Sequence, residues 1–161
     1  MPKHSFCTWL AMMGRLPTKD RLLRWGIITA STCDLCIRSI ESHEHLFGGC
    51  SFVRRIWETS WRKCGVLRTP VDWEGIMKRA IVVCRRKSLL ADVTRVFFTA
   101  TVYVIWEERN RHVFDGQRRS EEQISGIIAY TVKNRITKVK GYRGSERNKK
   151  MCYEWDVDLQ I

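Results

Sequence analysis

Cys33, Cys36, His45 and Cys50 carry the most specific chemical signal in the chain, written C-x2-C-x8-H-x4-C. Two thiolates two residues apart can grip one ion from a tight turn. A third thiolate and an imidazole complete the tetrahedron that Zn2+ favours. On an unbroken α-helix, His45 and Cys50 would diverge by about 140° and sit about 7.5 Å apart along the axis, so the backbone must bend between them. Gly48-Gly49 lies at that point and permits the bend. Four protein donors leave no position for water, so the spacing predicts one structural Zn2+ and not a hydrolytic ion. The ion would tie a loop to two helices and contribute folding energy, and acid would weaken it by protonating the thiolates. The competing reading is a chance cysteine pair, with His43 as the rival imidazole and Cys64 as the rival thiolate. His4 and Cys7 form an H-x-x-C without a matching second pair, which reads as a surface histidine and a core cysteine. Cys84 and Cys152 read as bystander thiols.

The elements that must hold these residues are mostly helical. Phe6, Trp9, Leu10 and Met13 recur at three and four over residues 3–14, one face of a helix. Thr18 caps a short helix containing Leu22, Leu23 and Trp25, and Gly26 ends it. Residues 29–44 lack a period and read as a loop. Ser51 opens a helix striped by Phe52, Ile56, Trp57, Trp61 and Cys64, and another is predicted over 72–86. The strongest pattern runs over 88–112 through Leu89, Val93, Val96, Phe97, Ala100 and Val104. Ser120 with Glu121 and Glu122 starts a last helix ending near Ile136, with acids first and bases last as the helix dipole prefers. Tyr153, Trp155, Val157, Leu159 and Ile161 alternate like a short strand. The expected fold is therefore mostly α, a small multi-helix domain with a structural zinc loop and a basic C-terminal arm. Residues 1–70 form the zinc-binding helical region, 71–138 a helical continuation packing on it, and 139–161 the basic arm and tail.

The 161 residues carry 29 Lys plus Arg against 17 Asp plus Glu, a formal net charge of +12. That excess argues against an acidic buffer protein and favours a polyanionic partner, nucleic acid ahead of membrane. Residues 133–150 alone hold eight Lys or Arg and one Glu. The leading phosphate-binding set is Lys133, Arg135, Lys138, Lys140, Arg143, Arg147, Lys149 and Lys150, with Tyr142 placed to stack on an unpaired base. Arg54, Arg55, Arg62 and Lys63 beside the zinc loop form a second set, continued by Lys78, Arg79, Arg85, Arg86 and Lys87. Trp9, Trp25, Trp57, Trp61, Trp73 and Trp106 fit helical stripes and read as core. No apolar run approaches the roughly 18 residues of a membrane span. Seven cysteines, odd in number and unevenly spaced, make a poor disulfide framework and favour a reducing, intracellular setting (nucleus or cytoplasm) over secretion.

The residues around the thiols extend the signal. Pro2-Lys3-His4-Ser5-Phe6, Trp9-Leu10-Ala11, Gly14-Arg15-Leu16, Thr18, Asp20 and Leu22 precede Cys33-x-Leu35-Cys36, and Glu41-Ser42-x-x-His45-Leu46-Phe47-x-x-Cys50 and Trp57 follow. Together they resemble the reverse-transcriptase zinc-binding domain of plant non-LTR (LINE-type) retroelement proteins, over about residues 2–63. Ile105-Trp106-x-x-Arg109-Asn110-x-x-Val113-Phe114 is similar to the region that follows it, to about residue 138. The resemblance implies Cys33, Cys36, His45 and Cys50 as zinc ligands and a reverse-transcriptase polypeptide as a partner. It also implies sequence upstream of Met1, so the chain resembles a fragment or truncated gene product. Retroviral zinc knuckles share both halves of the motif but separate them by four residues instead of eight, so their base-gripping geometry does not transfer.

No catalytic signature is present. The sequence has no Tyr-x-Asp-Asp, no G-x-x-x-x-G-K-[ST], no G-x-G-x-x-G and no G-x-S-x-G. Glu107-Glu108 reads as the solvated face of a helix in reach of Arg111 and His112. Two functions remain. One is a zinc-stabilised accessory module of a retroelement reverse transcriptase that binds RNA or DNA without sequence preference. The other is a protein-interaction scaffold with purely structural zinc. Neither is an enzyme.

Overall fold

In a computed structural model of the chain, residues 2–137, 141, 142 and 144–158 are described. Among the described residues seven α-helices arise from the stripes and their caps: α1 (Pro2–Met12), α2 (Lys19–Arg24), α3 (Ser51–Lys63), α4 (Trp73–Cys84), α5 (Leu89–Phe114), α6 (Glu121–Ile136) and α7 (Glu146–Trp155). A π-helical turn, His45–Gly49, precedes α3. Side-chain oxygens open the later helices by accepting from the third residue on: Asp72 from Gly75, Ser88 from Ala91, Ser120 from Gln123 and Ser145 from Asn148. Gln123 returns a bond to the Ser120 amide and completes a capping box. Among the described residues no strand forms, only an isolated antiparallel bridge between Thr32 and Ile40.

Helix α5 is the spine, with α1, α4 and α6 against it and α3 bridging the π turn to α6 and α7. By length and composition it could cross a membrane, but most of its apolar window is buried inside the protein. Large rings join the helices at the centre. Trp61 meets Phe97 edge-on at 4.9 Å, Phe97 stacks on Trp155 at 5.8 Å, and Trp73 stacks on Phe98 at 5.8 Å.

Five expectations change here. Tyr153 and Trp155 of the alternating tail are not in a strand: residues 146–155 are helical, because Met151, Cys152 and Trp155 share a face that packs into the core, and Leu159 and Ile161 lie outside the described residues. Helix α1 buries the face opposite the one its large residues suggest. His4, Cys7, Thr8 and Ala11 turn inward, while Phe6, Trp9 and Met13 are exposed. The small inward residues fit beside α5, and His4 lies flat on Tyr103 at 4.2 Å, so it is not a surface histidine. Trp9 and Trp25, read as core, are 48% and 55% exposed; Trp57, Trp61 and Trp73 are buried. Glu107-Glu108 also divides. Glu108 is fully buried, and only Glu107 reaches the solvated face.

Candidate metal centre

Residues 31–41 double back on themselves. The Cys33 amide donates to the Ser39 carbonyl at 2.8 Å and the Glu41 amide to the Ser31 carbonyl at 2.7 Å. Cys33 and Cys36 sit in the turn this makes, closed by the Ile37 amide on the Cys33 carbonyl at 2.8 Å. Ile37 adopts φ 56°, a left-handed conformation that costs a β-branched residue energy and that the turn imposes.

The second pair is brought together by the π turn. A π turn has one more residue than an α turn, so residues five apart come into register. The Cys50 amide donates to the His45 carbonyl at 2.7 Å, the bond that defines this widening. The Ser42 hydroxyl accepts from the His45 amide at 3.0 Å, and Trp57 Nε1 donates to the Phe47 carbonyl at 2.8 Å. Gly48 serves a different purpose from the expected one. Neither Gly48 nor Gly49 takes a positive φ. Gly48 is required because a Cβ there would lie 2.2 Å from the Trp73 amide nitrogen, where the start of α4 crosses the turn.

The ligand atoms of Cys33, Cys36, His45 and Cys50 all lie within 4.8 Å of one another. Cys36 Sγ and His45 Nε2 are 3.3 Å apart. Ligands at zinc–sulfur distances of about 2.3 Å in a tetrahedron sit about 3.8 Å from each other, so this donor set is suited to hold one Zn2+. Cys33 and Cys50 are fully buried and Cys36 and His45 half-buried. The neighbouring Cys50 and burial push the Cys33 thiol up, while the hydrogen bond from Cys33 pulls Cys50 down. A divalent cation supplies the charge that lets all three sulfurs ionise. Burial lowers the His45 imidazole and holds it in the neutral form a metal needs. Four protein donors close the coordination sphere, which suits a structural ion.

The rivals lie elsewhere. His43 packs on Phe47 at 4.9 Å and Trp73 at 6.0 Å, and burial lowers it. Cys64 is a core thiol that burial pushes up to about 12, and Cys7 one pushed up to about 11. Cys84 and Cys152 are also free thiols away from the group.

Carboxylates anchor the centre, with Glu41 and Glu108 fully buried among them. Glu41 is fully buried between the loop, α2 and α5. It accepts from the Lys19 amide at 3.0 Å, opening α2, and pairs with Arg109 of α5 at 2.8 Å. Glu44 accepts from the Trp73 amide at 2.8 Å, opening α4. His112 bridges Glu108 at 2.9 Å and the carbonyl of Asp34, inside the Cys33–Cys36 turn, at 3.1 Å. Asp34 in turn pairs with Lys19 at 2.6 Å. The spacing of Glu41 and Arg109 along the chain hides this, since only the fold makes them neighbours.

The expected phosphate-binding residues distribute over three helices and a connection. Arg54 pairs with Glu58 at 3.4 Å and Arg55 with Glu121. Lys133 pairs with Asp156, and Arg135 is exposed on α6. Arg147, Lys149 and Lys150 are exposed on α7, with Lys149 on Glu146 at 2.9 Å. Tyr142 packs against the core and its hydroxyl donates to Asp92, which with burial pushes the phenol up. Lys138, Lys140 and Arg143 fall outside the described residues. Arg62 and Lys63 of α3 line one groove with Arg147 and Lys150 of α7, so the two basic sets meet in space.

Residues 1–57 match the family model described as zinc-binding in reverse transcriptase, and all four ligand residues lie inside the match. No curated protein and no solved structure matches the chain.

Proposed function

We propose that this chain is a zinc-stabilised accessory module of a retroelement reverse transcriptase, one that binds RNA or DNA through basic residues without sequence preference. The observation that carries the reading is the convergence of three sulfurs and one imidazole inside the region matching the reverse-transcriptase zinc-binding family. The plant non-LTR origin rests on the motif resemblance around those ligands. The zinc holds a loop to the helices and takes no part in chemistry. Nucleic-acid binding is supported by the net charge of +12 and by the groove between α3 and α7, where Arg62, Lys63, Arg147 and Lys150 converge. Such cations displace counterions from phosphates, so affinity falls with added salt. The partner in the cell is a reverse-transcriptase polypeptide, and the setting is intracellular, in keeping with seven cysteines that form no disulfide among the described residues.

Anisotropy titration of labelled RNA and DNA at two salt concentrations tests the nucleic-acid part. Binding that weakens with salt, and weakens further when Arg62, Lys63, Arg147 and Lys150 become Gln, is the expected result. Absence of binding at low salt to any single- or double-stranded probe rejects it.

A further inference from the structure

Phe6, Trp9 and Trp25 are large rings left on the surface of a protein with ample core to receive them, at 61%, 48% and 55% exposure. They are not scattered. Phe6 stacks with Trp9 at 6.1 Å, and the Arg15 guanidinium lies over Trp9 at 5.7 Å. Arg21 donates to the Gly14 carbonyl at 2.6 Å, beside Arg15, and its guanidinium lies over Trp25 at 5.1 Å. Three rings and two guanidinium groups thus follow one another from α1 to α2 in the order Phe6, Trp9, Arg15, Arg21 and Trp25. Residues 1–25 carry five Lys or Arg and a single acid, Asp20, which is taken up by Thr18 and Arg24.

We infer that this run of rings and guanidinium groups is a stacking platform for the unpaired bases of a single-stranded nucleic acid, distinct from the basic groove between α3 and α7. The inference rests on the nucleic-acid reading above and assigns it a second, single-strand-selective surface. Bases stack on aromatic faces and on guanidinium planes without regard to sequence, and the same guanidinium groups meet the phosphates. A protein-docking face would instead be a continuous apolar patch with its charges at the rim. Met12, Met13, Leu23 and Ile27 are exposed on the same segment, but here the cations lie over the ring faces themselves and not only at a rim. A duplex, whose bases are already stacked on each other, gains nothing from the platform.

The full zinc-loaded chain is titrated with labelled oligouridylate and with a labelled RNA duplex of equal length. The variant is Trp9→Leu with Trp25→Leu, which keeps an apolar surface and removes the π faces; circular dichroism checks its fold. The expected result is a loss of at least about ten-fold in affinity for oligouridylate, with duplex binding unchanged. A second variant, Arg15→Gln with Arg21→Gln, keeps the rings and is expected to lower the salt dependence of oligouridylate binding alone. Unchanged oligouridylate affinity in the folded Leu variant overturns the platform and leaves the nucleic-acid reading standing. Failure of the unsubstituted chain to bind either probe at low salt overturns both, and the exposed rings are then a protein-contact face.

Discussion

Replacing Arg109 by Met leaves the Glu41 carboxylate buried without its counter-charge. Met matches much of the guanidinium stem in volume, so packing changes little and the electrostatic loss dominates. The two side chains are 4% and 0% exposed, so water cannot compensate. Glu41 keeps only the Lys19 amide at 3.0 Å among its close donors. Removing one partner of such a pair costs about 3–5 kcal/mol. That is a large share of the roughly 5–15 kcal/mol that holds a domain folded. The double variant Glu41→Gln with Arg109→Met keeps a carbonyl for the Lys19 amide and removes the buried charge, so its cost falls to about 1–2 kcal/mol. The coupling energy should therefore exceed about 1 kcal/mol. Urea unfolding followed by circular dichroism, at fixed free zinc, reads both numbers with the m-value as a check on the transition. A single-variant cost under about 1 kcal/mol, or strict additivity in the double, would refute the claim that α5 locks the zinc loop. The same bond predicts that residues 1–57 alone fold poorly, because Arg109 and His112 lie outside them.

Gly48→Ala should cost at least about 2 kcal/mol and weaken zinc binding, since its Cβ meets backbone at 2.2 Å. Gly49→Ala, whose Cβ lies 3.6 Å from the nearest atom, should do neither; zinc titration of the two variants side by side checks this. Ile37→Gly removes a β-branched residue from φ 56° and should raise the melting temperature by an amount worth about 1 kcal/mol, net of the added freedom of the unfolded chain. His4 and His43 are lowered by burial, so the unfolded chain takes up protons first. Stability is then full above the ordinary histidine value of 6.5 and falls as pH drops below it. Thermal melts of metal-free protein across that range should show the decline, and a flat profile would contradict it.

The ligand set was legible because it depends on short spacing and donor chemistry, both local. Helix boundaries were legible where a cap announces them, as at Ser120. Helix α7 was harder, because its Lys and Arg dominate the composition while Met151 and Trp155, four apart, supply the packing face. Periodicity gives two candidate faces on α1 and cannot say which one meets α5. The larger residues pointed to the wrong one, since a close helix–helix approach favours Cys7, Thr8 and Ala11. The π turn was invisible because it answers to the crossing of Trp73 over Gly48, a contact between residues 25 apart in the chain. Glu108 was misplaced for the same kind of reason: its partners are the Arg119 amide at 2.7 Å and His112, and only the first of them lies beyond its own helix.

Zinc K-edge X-ray absorption on the purified chain addresses the metal centre most directly. One zinc per chain is expected, with three sulfurs at about 2.3 Å and one nitrogen at about 2.0 Å around it. A shell of oxygen and nitrogen alone, or a folded chain that carries no zinc, would contradict it.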